Sequence, residues 1–212
     1  LGVYIDDELC CFTSNLKGQT LAFYKKVCPT NILFSLTDGD NTEVLNNNNG
    51  NLVDVEVARQ FTAGNLYTIS LPFTLENVAN TFGNQAYEFT SLDKIDEELI
   101  LYFDKTNTME AGKPYLIEPT KNLDGFVVED VTLSNTSKNI LFKVGSTTVG
   151  MEAVLSANDN ETTGGSKYWL ASDRYLYNDD TKLMSLRAIF TISSASGIAP
   201  RARVSLSENA AT

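Results

Sequence analysis

Histidine is absent from all 212 residues. That removes the side chain that most often acts as general base, partners a catalytic Ser or Cys, or ligates a transition metal. Glycosidases manage with two carboxylates, yet none of the 27 acidic residues stands out for such work. A pair such as Glu88 with Asp104 cannot be picked from the sequence, so no catalytic residue is assigned and a non-enzyme is expected. Cysteine is scarce as well: Cys10, Cys11 and Cys28, with no CxxC spacing. Without His, those three do not make a zinc site. Neighbouring Cys10 and Cys11 would point apart in a strand. Two readings stay open, a Cys28 bridge to one of them or free thiols packed as small hydrophobes.

Cations are outnumbered, 16 Lys and Arg against 27 Asp and Glu, for a net charge of −11. A phosphate backbone needs clustered Lys and Arg, so a nucleic-acid partner is excluded; the acidic surface serves solubility. No apolar run approaches the ~20 residues of a membrane-spanning helix. The opening Leu1-Gly2-Val3-Tyr4 runs into Ile5-Asp6-Asp7-Glu8 without the basic start of a signal peptide, so an exported parent would have lost its leader. No motif implies a cofactor or a metal.

What is present is strand. Hydrophobic residues make up 42% of the chain, and a chain this long can bury about 70% of its unfolded surface. Tyr67, Ile69, Leu71 and Phe73 fall two apart, with Thr68 and Ser70 between them. That period puts four large apolar groups on one strand face. Pro72 has no N–H for a ladder, so this strand must end, bulge or lie at an edge there. Val53, Val55 and Val57 alternate with Asp54 and Glu56, a half-buried strand.

Before it, Asp38-Gly39-Asp40-Asn41 and Asn46 to Asn51 are turn chemistry, with Asn49-Gly50 the tightest. Residues 1–50 are therefore set apart as an N-terminal segment, either a small subdomain or edge strands, with short apolar runs at Leu9–Phe12, Leu21–Tyr24 and Ile32–Phe34. Residues 51–207 form the main body and 208–212 a tail.

Leu75, Val78, Ala79 and Phe82 have helical spacing, with Thr74 placed to cap and Gly83 to stop. Further strands are expected at Tyr87–Phe89, Leu99–Phe103 and Tyr115–Pro119. Phe126–Leu133 and Asn139–Val144 follow, read as a pair joined by Ser134–Lys138. Tyr168-Trp169-Leu170 and Tyr175-Leu176-Tyr177 flank Ser172-Asp173-Arg174 as an aromatic hairpin. Ser185–Ile192 and Ala202–Leu206 complete the set. Ten or so short strands, one short helix and no βαβ rhythm give an all-β, antiparallel β-sandwich, jelly-roll or immunoglobulin-like.

Several pieces in order resemble a C-terminal β-sandwich module of exported and surface proteins from Bacteroides and Prevotella relatives. They are Asp38-Gly39-Asp40-Asn41-Thr42, Val53-Asp54-Val55, Tyr67 to Phe73, Ala111-Gly112-Lys113-Pro114-Tyr115-Leu116-Ile117, Leu176-Tyr177-Asn178 and Leu186-Arg187-Ala188-Ile189-Phe190. The likeness spans about residues 36 to 206. Tyr67 stands where that family often has Trp, and Ser70 where it often has Cys. The resemblance implies an exported, periplasmic or surface location and brings no agreed activity and no catalytic residues.

Three features invite a sharper reading. Oxygens alternate around Gly39 in Asp38–Glu43 and could hold calcium, though the twelve-residue calcium loop is missing and the same residues make an ordinary turn. Trp169, with Tyr168, Tyr175 and Tyr177 and with Asp173 and Arg174 nearby, could stack on sugar rings, or these aromatics could fill the core. Arg187, mid-strand, needs a carboxylate if it points inward, for which Glu118 or Glu129 are candidates. The expected function is adhesion, assembly or display at a cell surface without catalysis, with another surface protein or a glycan as partner; the alternative is a carbohydrate-binding module.

Overall fold

The computed structural model of the protein describes residues 33–158, 162–195 and 200–207, together with the backbone of two N-terminal strands. It has two compact units, Leu1–Ile32 and Leu33–Thr212. In the first, β1 (Gly2–Ile5) and β2 (Glu8–Cys11) form an antiparallel hairpin with Gly2 opposite Cys11. The pairing of Cys10, Cys11 and Cys28 and the Leu21–Tyr24 run lie outside the described residues.

The division falls before Leu33 and not at Asn49-Gly50. The reason is β3 (Leu33–Leu36), which pairs in parallel with β4 (Leu52–Val57). A parallel neighbour cannot be reached by a tight turn and needs a crossover. Residues 37–51 supply it through a second short helix, α1 (Thr42–Asn47), anchored by buried Leu45. Turn chemistry on both sides predicts no helix here, so α1 adds a second helix to the one expected at Leu75–Phe82. The Asn49-Gly50 turn does form, with Gly50 at φ 82°. From it β4 emerges with Val53, Val55 and Val57 buried, each contributing about 1.5–3 kcal/mol.

The remaining elements are β5 (Tyr67–Ser70), α2 (Val78–Phe82), β6 (Ala86–Ile95), β7 (Glu98–Thr106), β8 (Pro114–Ile117) and β9 (Phe126–Thr132). They continue as β10 (Asn139–Val144), β11 (Thr147–Val154), β12 (Lys167–Leu170), β13 (Leu176–Tyr177), β14 (Arg187–Ser194) and β15 (Arg201–Leu206). One sheet runs β10-β11-β14-β12-β13, a second β15-β7-β6-β8-β5, and a third β3-β4-β9. The chain is thus an all-β sandwich, antiparallel apart from β3 with β4 and β15 with β7.

The two five-stranded sheets share one core. Phe89, Leu101, Phe103 and Val204 of the second sheet meet Val149, Met151, Phe190 and Ile192 of the first. Phe103 crosses the layers edge-on to Phe190, with ring centroids 6.4 Å apart. A second core lies between the three-stranded sheet, α2 and the β5–β8 end of the middle sheet, where Val55, Phe61, Ile69, Phe73, Phe82 and Ile117 gather. Strand β8 serves both: Tyr115 and Ile117 belong to this core, Leu116 to the other. A strand covered on both faces reads as a continuous apolar run.

Strand β5 ends at Ser70 on the edge of its sheet, before Pro72, as the missing N–H requires. Two local expectations need correction. Asn77, not Thr74, holds the N-cap position of α2, at φ 52°, while the Thr74 hydroxyl accepts the Ala111 N–H at 3.3 Å. Gly83 does stop the helix at φ 75°. Strands β9 and β10 do not pair with each other: β9 pairs with β4 and β10 with β11. The connection between them crosses the molecule, held by Ser134 N–H to Pro72 C=O (2.6 Å) and Lys138 N–H to Gly112 C=O (2.8 Å).

Candidate functional site

Alternation along the β12–β13 hairpin divides the aromatic cluster. Tyr168 and Leu176 face inward and are buried. Trp169 and Tyr177 stand opposite each other in register and face outward, with ring centroids 5.7 Å apart and planes tilted 34°. Tyr177 is 42% exposed. Both rings are tied by their polar ends. Trp169 Nε1 donates to Asp179 Oδ1, and the Tyr177 hydroxyl donates to Asp173 Oδ2 at 2.8 Å. That phenol, followed by the Tyr175 N–H, holds the Asp173 carboxyl below the usual carboxylate range; the same bond pushes the Tyr177 phenol up. Arg174 closes the turn at φ 66°. Tyr175 leaves the group, because the Arg201 guanidinium lies 3.7 Å from its ring centre. The expected four-aromatic cluster is therefore a ledge of two rings, one core tyrosine and one tyrosine stacked under an arginine.

A cavity of about 170 Å³ adjoins the ledge beside Trp169. Its walls include Leu170, Leu183 and Ile189, the threonines Thr68, Thr163 and Thr181, and the cations Lys182 and Arg187. On the inward side of the hairpin a larger space of about 770 Å³ is lined by Ser166, Tyr168, Asn178, Ser193 and Arg201.

Arg187 pairs with Asp38 (3.1 Å) and not with Glu118 or Glu129. The loop carrying Asp38 is drawn to the start of β14 by further bonds: Ser185 N–H to Asp38 C=O (2.9 Å) and the Ser185 hydroxyl to Gly39 C=O. Asp40 Oδ1 accepts the Thr42 N–H (2.9 Å) and the Ser156 hydroxyl (2.8 Å); these bonds, the Thr42 ones first, depress its pKa. Asn41 is buried and bonds Thr37 and Leu155. Glu43 sits in the first turn of α1. The oxygens of this loop thus clip it to the segment just after β11 and to the start of β14. Among the described residues no group of three or more His, Cys, Asp or Glu is placed to hold a metal ion. Glu88 and Asp104 do stand opposite each other on β6 and β7, but Lys113 takes Glu88 (2.7 Å) and the Thr90 hydroxyl takes Asp104 (2.8 Å).

Arg59 went unmarked in the sequence, one cation in a turn with no period to single it out. Only 2% exposed, it donates from Nη1 to the carbonyls of Thr68 (3.0 Å) and Leu186 (2.7 Å). Its guanidinium lies 4.8 Å from the Phe61 ring centre and 5.6 Å from that of Tyr67. Burial, then the charge of Arg187, lowers its pKa to about 9, opposed by Asp38 and Tyr67, so it remains a cation at neutral pH. Among the described residues, no hydrogen-bond partner meets its buried Nε and Nη2 or the buried Nε of Arg187.

Compared with protein-family models, curated proteins and solved structures, the chain matches none.

Proposed function

We propose that the chain is a non-enzymatic, exported β-sandwich that adheres to glycan through the β12–β13 ledge. The carrying observation is the Trp169–Tyr177 pair. Two neighbouring rings face outward, and each has its polar atom already bonded to an aspartate of the same hairpin region. Fixed rings lose little rotamer freedom on binding, and preorganisation of that kind improves affinity without added contact area. Aromatic faces stack on the apolar faces of sugar rings, while the fastened Asp173 and Asp179 offer acceptors at the rim for sugar hydroxyls. The ordered resemblance to surface sandwiches supports export and a role in adhesion or display. No helix among the described residues is long and apolar enough to cross a membrane. A glycan array probed with the whole chain and with Trp169→Ala tests this: hits lost in the variant support the reading, and hits unchanged in it refute it.

A further inference from the structure

Asn49-Gly50 is the only Asn-Gly step in the chain, and it closes the turn that leads into β4. The Asn51 N–H donates to the Asn48 carbonyl at 3.0 Å, and Gly50 has φ 82° while Asn49 is not among the residues with positive φ. That is the pattern of a type II turn with glycine at its third position. Asn-Gly is also the step most prone to modify itself, because glycine has no Cβ to keep its amide nitrogen away from the preceding side chain. In that reaction the Gly50 nitrogen attacks Asn49 Cγ. The N–Cγ bond forms, the Cγ–Nδ2 bond breaks, and ammonia leaves with the proton of the Gly50 N–H. Water then opens the five-membered imide at either carbonyl, giving aspartate or isoaspartate.

Both reacting groups are held in the fold. The Gly50 N–H donates to the Leu133 carbonyl at 2.8 Å, and the Leu133 N–H returns to the Asn51 carbonyl at 3.1 Å. Asn49 Oδ1 accepts the Asn135 N–H at 3.0 Å, which aims the amide at the 134–138 crossing. Asn135 is itself fastened by its side chain, Nδ2 donating to Asn46 Oδ1 at 3.0 Å. The turn opposes ring closure too. A type II turn keeps ψ of its second residue near +120°, whereas a planar imide needs the next nitrogen on the Cβ side, at about −120°. We infer that Asn49 is a self-modification site that the fold keeps latent, released only when Gly50 lets go of Leu133 and Asn49 of Asn135. Conversion then marks a molecule that has opened at this turn. Aspartate leaves the main chain unchanged and keeps an acceptor for Asn135. Isoaspartate adds a methylene to the main chain just before β4, which puts Gly50 and Asn51 out of step with Leu133.

The test follows the whole chain over weeks in mildly alkaline buffer, folded and unfolded in urea. Peptide mapping by mass spectrometry reads the amide-to-acid conversion at Asn49, and hydrogen exchange reads the opening of the Gly50 N–H. Asn49 is expected to convert at least about tenfold more slowly in the folded chain, because conversion waits on an opening that only a minor population has reached. Asn46→Ala removes the tether on Asn135 and touches neither reacting group. In that variant, conversion at Asn49 is expected to change by the same factor as Gly50 exchange, since one opening feeds both. Equal conversion rates in the folded and unfolded chain would overturn the inference. So would a change in conversion in Asn46→Ala that departs from the change in Gly50 exchange by more than about threefold.

Discussion

Arg59 Nη1 donates 2.7 Å to the carbonyl of Leu186, a fully buried residue held at φ 58°. The left-handed conformation costs a non-glycine residue roughly 1–2 kcal/mol. It turns the Leu186 carbonyl so that it accepts from Arg59 and, at 3.3 Å, from the Ser70 N–H. The loop after β4, strand β5 and the start of β14 are joined at that oxygen, just where Arg187 enters the cavity wall.

Arg59 stabilises by packing and by its two carbonyl bonds, while its buried charge works against folding. Arg59→Ala, which forfeits the packing on Phe61 and Tyr67, is expected to lose about 3 kcal/mol. Arg59→Met keeps most of the volume and sheds the charge, so about half of that loss should return. Urea denaturation of both variants measures it. A Met variant no better than Ala would mean that the cation itself is indispensable.

Gly112 sits at φ 73°, and a Cβ there would lie 2.0 Å from the backbone oxygen of Thr136. The turn before β8 and the 134–138 crossing touch at this point, through the bond from Lys138 N–H to Gly112 C=O. Gly112→Ala is expected to cost on the order of 3 kcal/mol. By contrast Gly145→Ala, at φ 57° with open space around it, should cost only about 1 kcal/mol from backbone strain. Equal losses in thermal or urea unfolding would contradict the crossing contact.

The strands were legible because their signal is local. The alternation of Val53, Val55 and Val57, the break at Pro72 and the Trp169–Tyr177 hairpin follow from side-chain period and turn chemistry, which the chain carries residue by residue. What escaped depends on distant partners. Helix α1 exists because β3 needs a crossover to lie parallel to β4, and its residues resemble the turns around them. Strands β9 and β10 follow each other in sequence, yet each finds its partner elsewhere. Likewise Arg187 could be read as needing a carboxylate, while its match, Asp38, is 149 residues away. Of the candidate site, the two rings were visible in the pattern; the buried Arg59 was not, because nothing near it in sequence reveals that two carbonyls and two aromatic rings enclose it.

Calcium should leave the protein unmoved. Asp38 is occupied by Arg187, and Asp40 by Thr42 and Ser156, so an ion would have to break those contacts before gaining its own. Melting curves with millimolar calcium and with a chelator are expected to coincide, whereas a saturable rise in melting temperature with calcium would reveal a site, by binding linkage.

Acid should destabilise the fold. Asp40, Glu98, Glu110 and Asp173 all have folded pKa values below their ordinary ones, Glu98 chiefly through the Arg203 hydrogen bond and Glu110 chiefly through that of Lys138. A carboxyl with a depressed folded pKa binds fewer protons when folded than when unfolded. Its contribution is complete above the unfolded value near ~4 and disappears as pH falls through the folded one. The melting temperature is expected to hold from pH 7 to about 5 and to fall below ~4. Glu110→Gln should make that fall shallower, and an acid limb identical to wild type would contradict the assignment.

Trp169 is the only tryptophan in the chain, so intrinsic indole fluorescence reports on the ledge alone. Titrating the whole protein with an oligosaccharide that it captures on an array is expected to shift the emission saturably, with Tyr177→Ala weakening binding about tenfold, near the loss of one stacked aromatic contact. Saturable binding of that oligosaccharide by calorimetry, with the indole emission unchanged and Tyr177→Ala without effect, would contradict the placement of the ligand on the Trp169–Tyr177 pair.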